Sequence, residues 1–584
     1  MGKRITFLAP RWLSLLLFTA VGGFSDEGEI PPLAAKYCSA CHLPPGPETI
    51  TREHWPKVFD FMGSWIVEQG LPLDEAEYAE LLDYYVTNSP LAFDPVPDDL
   101  EESLLLFEKG AVGVAGTSDR PEITNVSLTD LDANGGYDVL VCDAAAGQVS
   151  WLVIEQGKWK EIFLAEVAAP AKATVVDYNR DGYNDIVVAS LGSISPTDDP
   201  IGSVQLLINR GDMTFEALPL LSGVARVADV KPGDFNGDGK TDFIVAKFGW
   251  RKTGGLMWLE QVTPTLFLQH EILSLSGAMQ LEVLDFDGDG NLDFVALFSQ
   301  EHESVVLFKN NGSGTFESRI LARAPHPAYG SSGFQMVDLD RDGDIDILYS
   351  NGDMMDEISL VKPYHGVRWF ENVAGEFHSR ELLRLPGAYR AVAHDMDGDG
   401  HLDIVVSSLN FYWDKNDFPS LVWLKNDGHQ QFTARSILYE PTNLVTMDVG
   451  DLNHDGIPDI VVGGFHRPGP LGTACPIDCR VRDWKNQGRS EGGKGGVSSR
   501  WRNGGVFSGP RGSDGGRLLP GGPSSPLDVR DCVTLSTGLP QRSHVKVTAC
   551  LSLRLFSRHP IGKSPQRASS VVSFRSFWRC PGPF

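Results

Sequence analysis

Near its start the chain places Cys38 and Cys41 two residues apart, with His42 directly after the second. Two thiols one turn apart can add to the two vinyl groups of a porphyrin, and the adjoining imidazole then becomes an axial ligand of the iron. Cys-x-x-Cys-His is the attachment signature of a c-type haem. The alternatives are half a zinc site or a redox dithiol, but a zinc site wants a second Cys or His pair. The next cysteine, Cys142, lies far away in the apolar run that begins at Val139 and reads as a small core residue. A haem of this type usually takes a second axial ligand, commonly Met. Met62 and His54 are the nearby candidates. Met62 is favoured by its aromatic surroundings (Trp55, Phe59, Phe61), which suit a dry crevice; its alternative role is a core gap-filler.

The second chemistry is repeated seven times. Each copy has oxygen-bearing residues at positions 1, 3, 5 and 9 and Gly at position 6, a set that can fold around one hard cation, Gly allowing the sharp return of the chain. The sets are Asp130, Asp132, Asn134, Asp138; Asp177, Asn179, Asp181, Asp185; Asp234, Asn236, Asp238, Asp242; and Asp285, Asp287, Asp289, Asp293. Then follow Asp338, Asp340, Asp342, Asp346; Asp395, Asp397, Asp399, Asp403; and Asp451, Asn453, Asp455, Asp459. Their first residues are 47, 57, 51, 53, 57 and 56 apart. A period near fifty marks a propeller or array, not isolated sites.

The elements that must position these loops are strands. An EF-hand needs a bidentate Glu at position 12 and flanking helices. Here position 12 is Val141, Val188, Val245, Ala296, Tyr349, Val406 or Val462, inside a β-branched or apolar run that reads as a buried strand. Downstream, runs such as Ser203 to Gly211 and Ser304 to Gly312 lead through Asn/Gly turns into a second run, which is a hairpin pattern. A loop, an inner strand and an outer hairpin make about one four-stranded blade per repeat. Seven repeats predict a seven-bladed β-propeller.

With these residues in view, the Asp-rich loops followed by Ile/Phe-Val-Val resemble FG-GAP/VCBS repeats, the propeller type of integrin alpha N-terminal regions. The resemblance covers about Val126 to Gly464. It implies calcium in the blade loops, up to seven ions, serving structure or binding. Around residues 30 to 90, a short helix, the haem motif, a Met loop and an aromatic helix resemble a minimal monohaem cytochrome c. In that helix, beginning at Asp74, acids fill the first turn, Tyr78, Leu81, Leu82 and Tyr85 form an apolar face, and Pro90 follows the end. The combination resembles exported proteins of planctomycete-like bacteria. The expected fold class is therefore mainly β, a seven-bladed propeller with a small α-helical cytochrome c-like N-terminal domain.

Composition sets bounds. The formal charge is −27 over 584 residues, yet from His466 onward there are 19 Lys or Arg against 6 Asp or Glu. The rest is strongly acidic, with 24 carboxylates in the seven loops; uncompensated, they would repel one another. This balance argues against nucleic acid and for a divalent metal. Lys3, Arg4 and Arg11 before the short apolar stretch Trp12 to Val21 read as a secretory signal, with an uncleaved anchor as the alternative. The expected organisation is a signal peptide over 1–25, a haem domain over 26–90, a linker over 91–100, the propeller over 101–465, and over 466–584 a basic Gly/Pro/Ser/Arg-rich tail that is disordered or non-native. The seventh repeat lacks its outer hairpin, and Ser103 to Val112 is a candidate for the missing strands.

These readings lead to an exported protein, periplasmic or secreted, with no membrane span after signal cleavage. It would carry haem c and Ca2+, and pass single electrons to a redox partner protein. One alternative is an extracellular protein- or glycan-binding adhesion module with a peripheral haem. Another is a haem-coupled oxidoreductase with its site on the propeller face. Two clusters could line such a site: His326, Tyr329, Asp353, Tyr364 and His365 in blade five, and Trp250, Arg251 and Lys252 in blade three. No nucleophile–base set or phosphate loop is visible, so catalytic residues stay unassigned.

Overall fold

The computed structural model describes residues 31–39, 42–96, 100–112, 121–155, 158–355, 360–410, 418–466 and 550–556. Contacts group Met1–Ile477 with Val545–Ser573 in one unit. The other unit (478–544 and 574–584), the signal segment and Cys41 lie outside the described residues.

Each Asp-rich loop joins the innermost strand of a blade to the second strand, and the third and fourth strands form the outer hairpin. Blade 1 runs Ile123–Thr129, Asp138–Asp143, Gln148–Glu155, Lys158–Glu166. Blades 2 to 6 repeat this antiparallel order, beginning at Pro170–Val176, Val227–Gly233, Ala278–Leu284, Ser331–Val337 and Ala388–His394. The second strand, for example Asp185–Ser190 (DIVVAS) or Asp293–Phe298 (DFVALF), is buried at every position. That is why it reads as a continuous apolar run and not an alternating one. The core lies between blades. Val187 and Val204 of blade 2 pack with Val245 and Leu259 of blade 3, and Ile123 and Val126 of blade 1 pack with Leu452 and Val461 of the seventh repeat.

The expectation of seven blades is corrected to six. Among the described residues only six repeats supply four consecutive strands. The seventh supplies two, Leu444–Gly450 and Asp459–Gly464. Its sheet continues into Cys550–Phe556 and then Leu106–Val112, from remote parts of the chain. The physical reason is the loss of the hairpin sequence after Gly464. Cys550–Phe556 (CLSLRLF) is also an exception to an unstructured tail, its period-two alternation being that of a strand.

The inner strands are linked around the propeller axis by side chains that accept backbone N–H groups of the next blade. Asp229 accepts from Leu281 (2.9 Å), Glu282 from Met336 (3.1 Å), Gln335 from Ala393 (2.9 Å) and Asp448 from Leu128 (2.8 Å).

Before the propeller, among the described residues, come three α-helices: α1 (Pro32–Tyr37), α2 (Trp55–Glu68) and α3 (Glu75–Asn88). Asp74 caps α3, accepting from the N–H groups of Ala76 and Glu77 at 3.0 Å each. Trp55, Phe59 and Ile66 of α2 pack on Leu81 and Tyr85 of α3, with the Trp55 and Tyr85 rings 4.4 Å apart. The Met loop is a correction: Met62 sits inside α2. Pro56 at the helix start and the apolar spacing 55, 59, 66 favour the helix.

Candidate functional site

α2 lines a cavity of about 1340 Å3 with Val58, Phe61, Met62 and Trp65, and its core residues Trp55, Phe59 and Ile66 border the same space. Cys38, after the last turn of α1, and His42, in the segment that follows, line the same cavity. Cys38, His42 and Met62 thus share one space, which exceeds the usual range of about 300–1,000 Å3 for small-molecule sites. Burial pushes the Cys38 thiol up to about 11, the mark of a sulfur in an apolar wall and not of a free reactive thiolate. His42 donates from Nδ1 to the Leu43 carbonyl at 2.8 Å; this bond fixes the tautomer and leaves the Nε2 lone pair available to a metal. His54 instead meets the Thr51 hydroxyl through Nδ1 at 2.6 Å and is not among the lining residues. Among the described residues, the His42 imidazole and the Met62 thioether are of the kinds that a haem iron would take as axial ligands, and Cys38 of the kind that would attach the ring.

The opposite wall belongs to the propeller. Phe248, Trp250 and Arg251 of blade 3 line the cavity beside the helices, and Lys172, Glu282, Arg390 and Asp448 line it at the axis. Lys172 pairs with Asp229 at 2.9 Å; burial pulls its ammonium down to about 8 despite that partner. Burial likewise raises Glu282 and Asp448 above the usual carboxylate range. Sequence reasoning missed these axial groups. Their signal was the charged residues interrupting otherwise apolar first strands, as in Pro170–Val176 (PAKATVV).

Of the two clusters singled out in the sequence, one meets the cavity directly. Trp250 and Arg251 line it, while Lys252 pairs with Glu68 of α2 at 2.6 Å. In the other, Asp353 lines the cavity, while His326, Tyr329, Tyr364 and His365, which do not, pack together, Tyr329 and Tyr364 stacked and the histidines edge-on to them. Tyr364 donates to the Thr49 carbonyl at 3.2 Å, a further tie between propeller and helices. Glu303, on the cavity wall and 4% exposed, accepts from the Gly330 and Ser331 amides and from the Ser331 hydroxyl. Burial nevertheless pushes it up to about 8.

The seven loops share one backbone form. The Gly at position 6 has a positive φ each time, from 80° at Gly456 to 103° at Gly343; position 4 is also left-handed, even where it is Ala133, Arg180, Arg341 or His454. The first Asp holds the turn together: Asp285, for example, accepts from Asp289 N (3.1 Å) and Gly290 N (2.9 Å). The ninth Asp is turned into the blade. Asp293 accepts from Phe286 N and Asn310 N, at 3.1 and 2.7 Å. Burial pushes Asp138, Asp242, Asp346 and Asp403 up to about 6, and an indole of the third strand (Trp151, Trp258, Trp369, Trp423) lies beside each. Among the described residues, four loops bring three carboxylates close enough to share a cation: Asp130/Asp132/Asp138, Asp285/Asp287/Asp289, Asp338/Asp340/Asp346 and Asp395/Asp397/Asp399. In two of them a lysine reaches in, Lys309 to Asp287 and Lys425 to Asp397 and Asp399.

Comparison with known proteins bears on these blades. Residues 177–245, 285–349 and 395–462 match the family model of the FG-GAP-like repeat. The propeller carries FG-GAP repeats. The human T-cell immunomodulatory protein is 24% identical over 41% of this chain and 41% of its own length. Human cartilage acidic protein 1 is 24% identical over 49% of this chain and 47% of its own. The chain thus spans less than half the length of these curated relatives. A solved chain of BBS1N in complex with ARL6DN covers 62% of this chain at 11% identity, with a TM-score of 0.40. The FG-GAP matches all fall outside the helical module. Among the described residues no helix is long and apolar enough to cross a membrane.

Proposed function

We propose that this is an exported c-type haem protein that passes single electrons, with the FG-GAP propeller as its scaffold and partner-binding surface. The observation that carries the reading is the single cavity lined by Cys38, His42 and Met62. Cys38 and Cys41 would hold the haem, His42 would ligate its iron, and Met62 would take the sixth position. A bound haem would supply a one-electron couple; the chain's own residues would exclude water and hold the ring. Calcium in the Asp-rich loops is the companion proposal, supported by the four carboxylate groupings.

The test is a visible spectrum, oxidised and dithionite-reduced, of protein exported through a haem-attaching pathway. Sharp reduced bands and haem retained after denaturation are expected. Absence of covalent haem despite competent export would overturn the reading. In that case the second reading leads: a propeller that binds an extracellular protein or glycan, which the similarity to the T-cell immunomodulatory protein favours.

A further inference from the structure

On the haem reading above, Arg251 of the propeller lines the same cavity as Met62. Asp198 gathers the segment that carries Arg251, accepting from the N–H groups of Arg251, Lys252 and Thr253 at 3.1, 2.9 and 3.0 Å and from the Thr253 hydroxyl at 2.8 Å. The segment is therefore held in place before anything binds. From it the Arg251 guanidinium lies over three rings: Trp250 at 4.0 Å, Phe61 at 4.3 Å and Trp65 at 5.4 Å. Two of those rings belong to α2, and Phe61 adjoins Met62.

The neighbouring cations are committed elsewhere. Lys252 is paired with Glu68, and Arg226 donates to the Gly249 carbonyl at 3.0 and 2.6 Å. Among the described residues no carboxylate forms an ion pair with Arg251, although it is half-buried in the wall of the cavity. A guanidinium set between aromatic planes, with its donor fork unused, is suited to a flat ligand that carries carboxylates. Haem is such a ligand: its ring can lie along the aromatic wall while its propionates take the fork.

We propose that Arg251 of the propeller binds the haem propionates, so that the haem crevice is built by two domains and not by the helical module alone. The cation then favours the reduced haem, whose net charge is one unit less positive.

The experiment compares full-length exported wild type with Arg251→Met, Arg251→Lys and Lys252→Met by potentiometric titration at two salt concentrations. Arg251→Met is expected to move the reduction equilibrium about tenfold toward the oxidised form, a midpoint lower by about 59 mV for one electron. Arg251→Lys should recover part of that shift, and Lys252→Met, which cuts the tie to Glu68 and the contact with the Trp65 ring, should move the midpoint far less than Arg251→Met. An unchanged midpoint in a haem-loaded Arg251→Met protein overturns the inference while leaving the haem reading intact. Equal shifts in Arg251→Met and Lys252→Met overturn it too, since they would report docking of the helices. A wild type that acquires no haem removes both readings together.

Discussion

Lys425 gives a prediction whose sign depends on whether loop 6 holds a cation. Its ammonium contacts Asp397 and lies 3.1 Å from Asp399, with the side chain 31% exposed. In calcium-free protein the lysine relieves repulsion among the loop carboxylates. Ion pairs this exposed contribute about 0.2–1 kcal/mol each, so Lys425→Met should lower stability by about 1 kcal/mol in chelator. With calcium bound the ammonium must swing out. At about 8 Å in a water-like dielectric, a divalent and a monovalent cation still repel by about 1 kcal/mol. Removing the lysine should therefore tighten apparent calcium affinity about fivefold. Thermal melts of wild type and Lys425→Met, in chelator and across a calcium titration, read both effects. The variant should melt below wild type in chelator and gain more from calcium. If it is less stable by the same margin in both conditions, the loop is a turn held by its lysine, and the cation reading of loop 6 is wrong.

Three further outcomes are expected. Asn310, 1% exposed, donates from Nδ2 to the carbonyls of Phe235 (2.8 Å) and Leu292 (3.0 Å); Asn310→Ala removes the donor to Leu292 and one of the two donors to Phe235, which keeps the Gly314 N–H, and should cost about 1–3 kcal/mol in urea unfolding, and a loss under about 0.5 kcal/mol would contradict the hydrogen-bond account. Glu303 is raised by burial from an ordinary value of 4.5 to about 8, so its contribution to stability is fully present below about 4.5 and lost as pH rises through about 8. Glu303→Gln should flatten that decline, and parallel stability–pH curves for variant and wild type would contradict the assignment. Asp74→Ala removes the α3 cap and should cost about 1 kcal/mol, seen as earlier proteolytic cleavage near residues 70–78 than in wild type.

Much of the propeller was legible because its signal is local and repeated. Each loop carries its own Asp spacing and Gly, and the run after it, such as Asp403–Ser408, is apolar because both of its faces are covered. Helix α3 was equally plain, its cap and acidic first turn being short-range features. The six-blade count was not legible, because strand pairing across hundreds of residues leaves no periodic trace: the sequence offers Ser103 to Val112 for the missing strands, and Leu106–Val112 does join the seventh repeat's sheet, but nothing in Cys550–Phe556 announces that it lies between them. Met62 was assigned to a loop because aromatic residues obscured the helical period of α2. For the candidate site, the sequence offered Cys38, Cys41, His42 and Met62 as one haem-binding set. The cavity that Cys38, His42 and Met62 share, and its propeller wall at Arg251, exist only once two domains touch.

The acceptors around the axis turn the blade boundaries into separately observable events. The amides of Leu281, Met336, Ala393 and Leu128 are held by side chains of the preceding blade or repeat. Each can exchange with solvent deuterium only when that boundary opens, even if its own blade stays folded. Four amides therefore serve as four gauges of where the ring gives way first. The boundary from the seventh repeat to blade 1, gauged by Leu128, joins the one repeat without its own hairpin, and its amide should exchange fastest of the four.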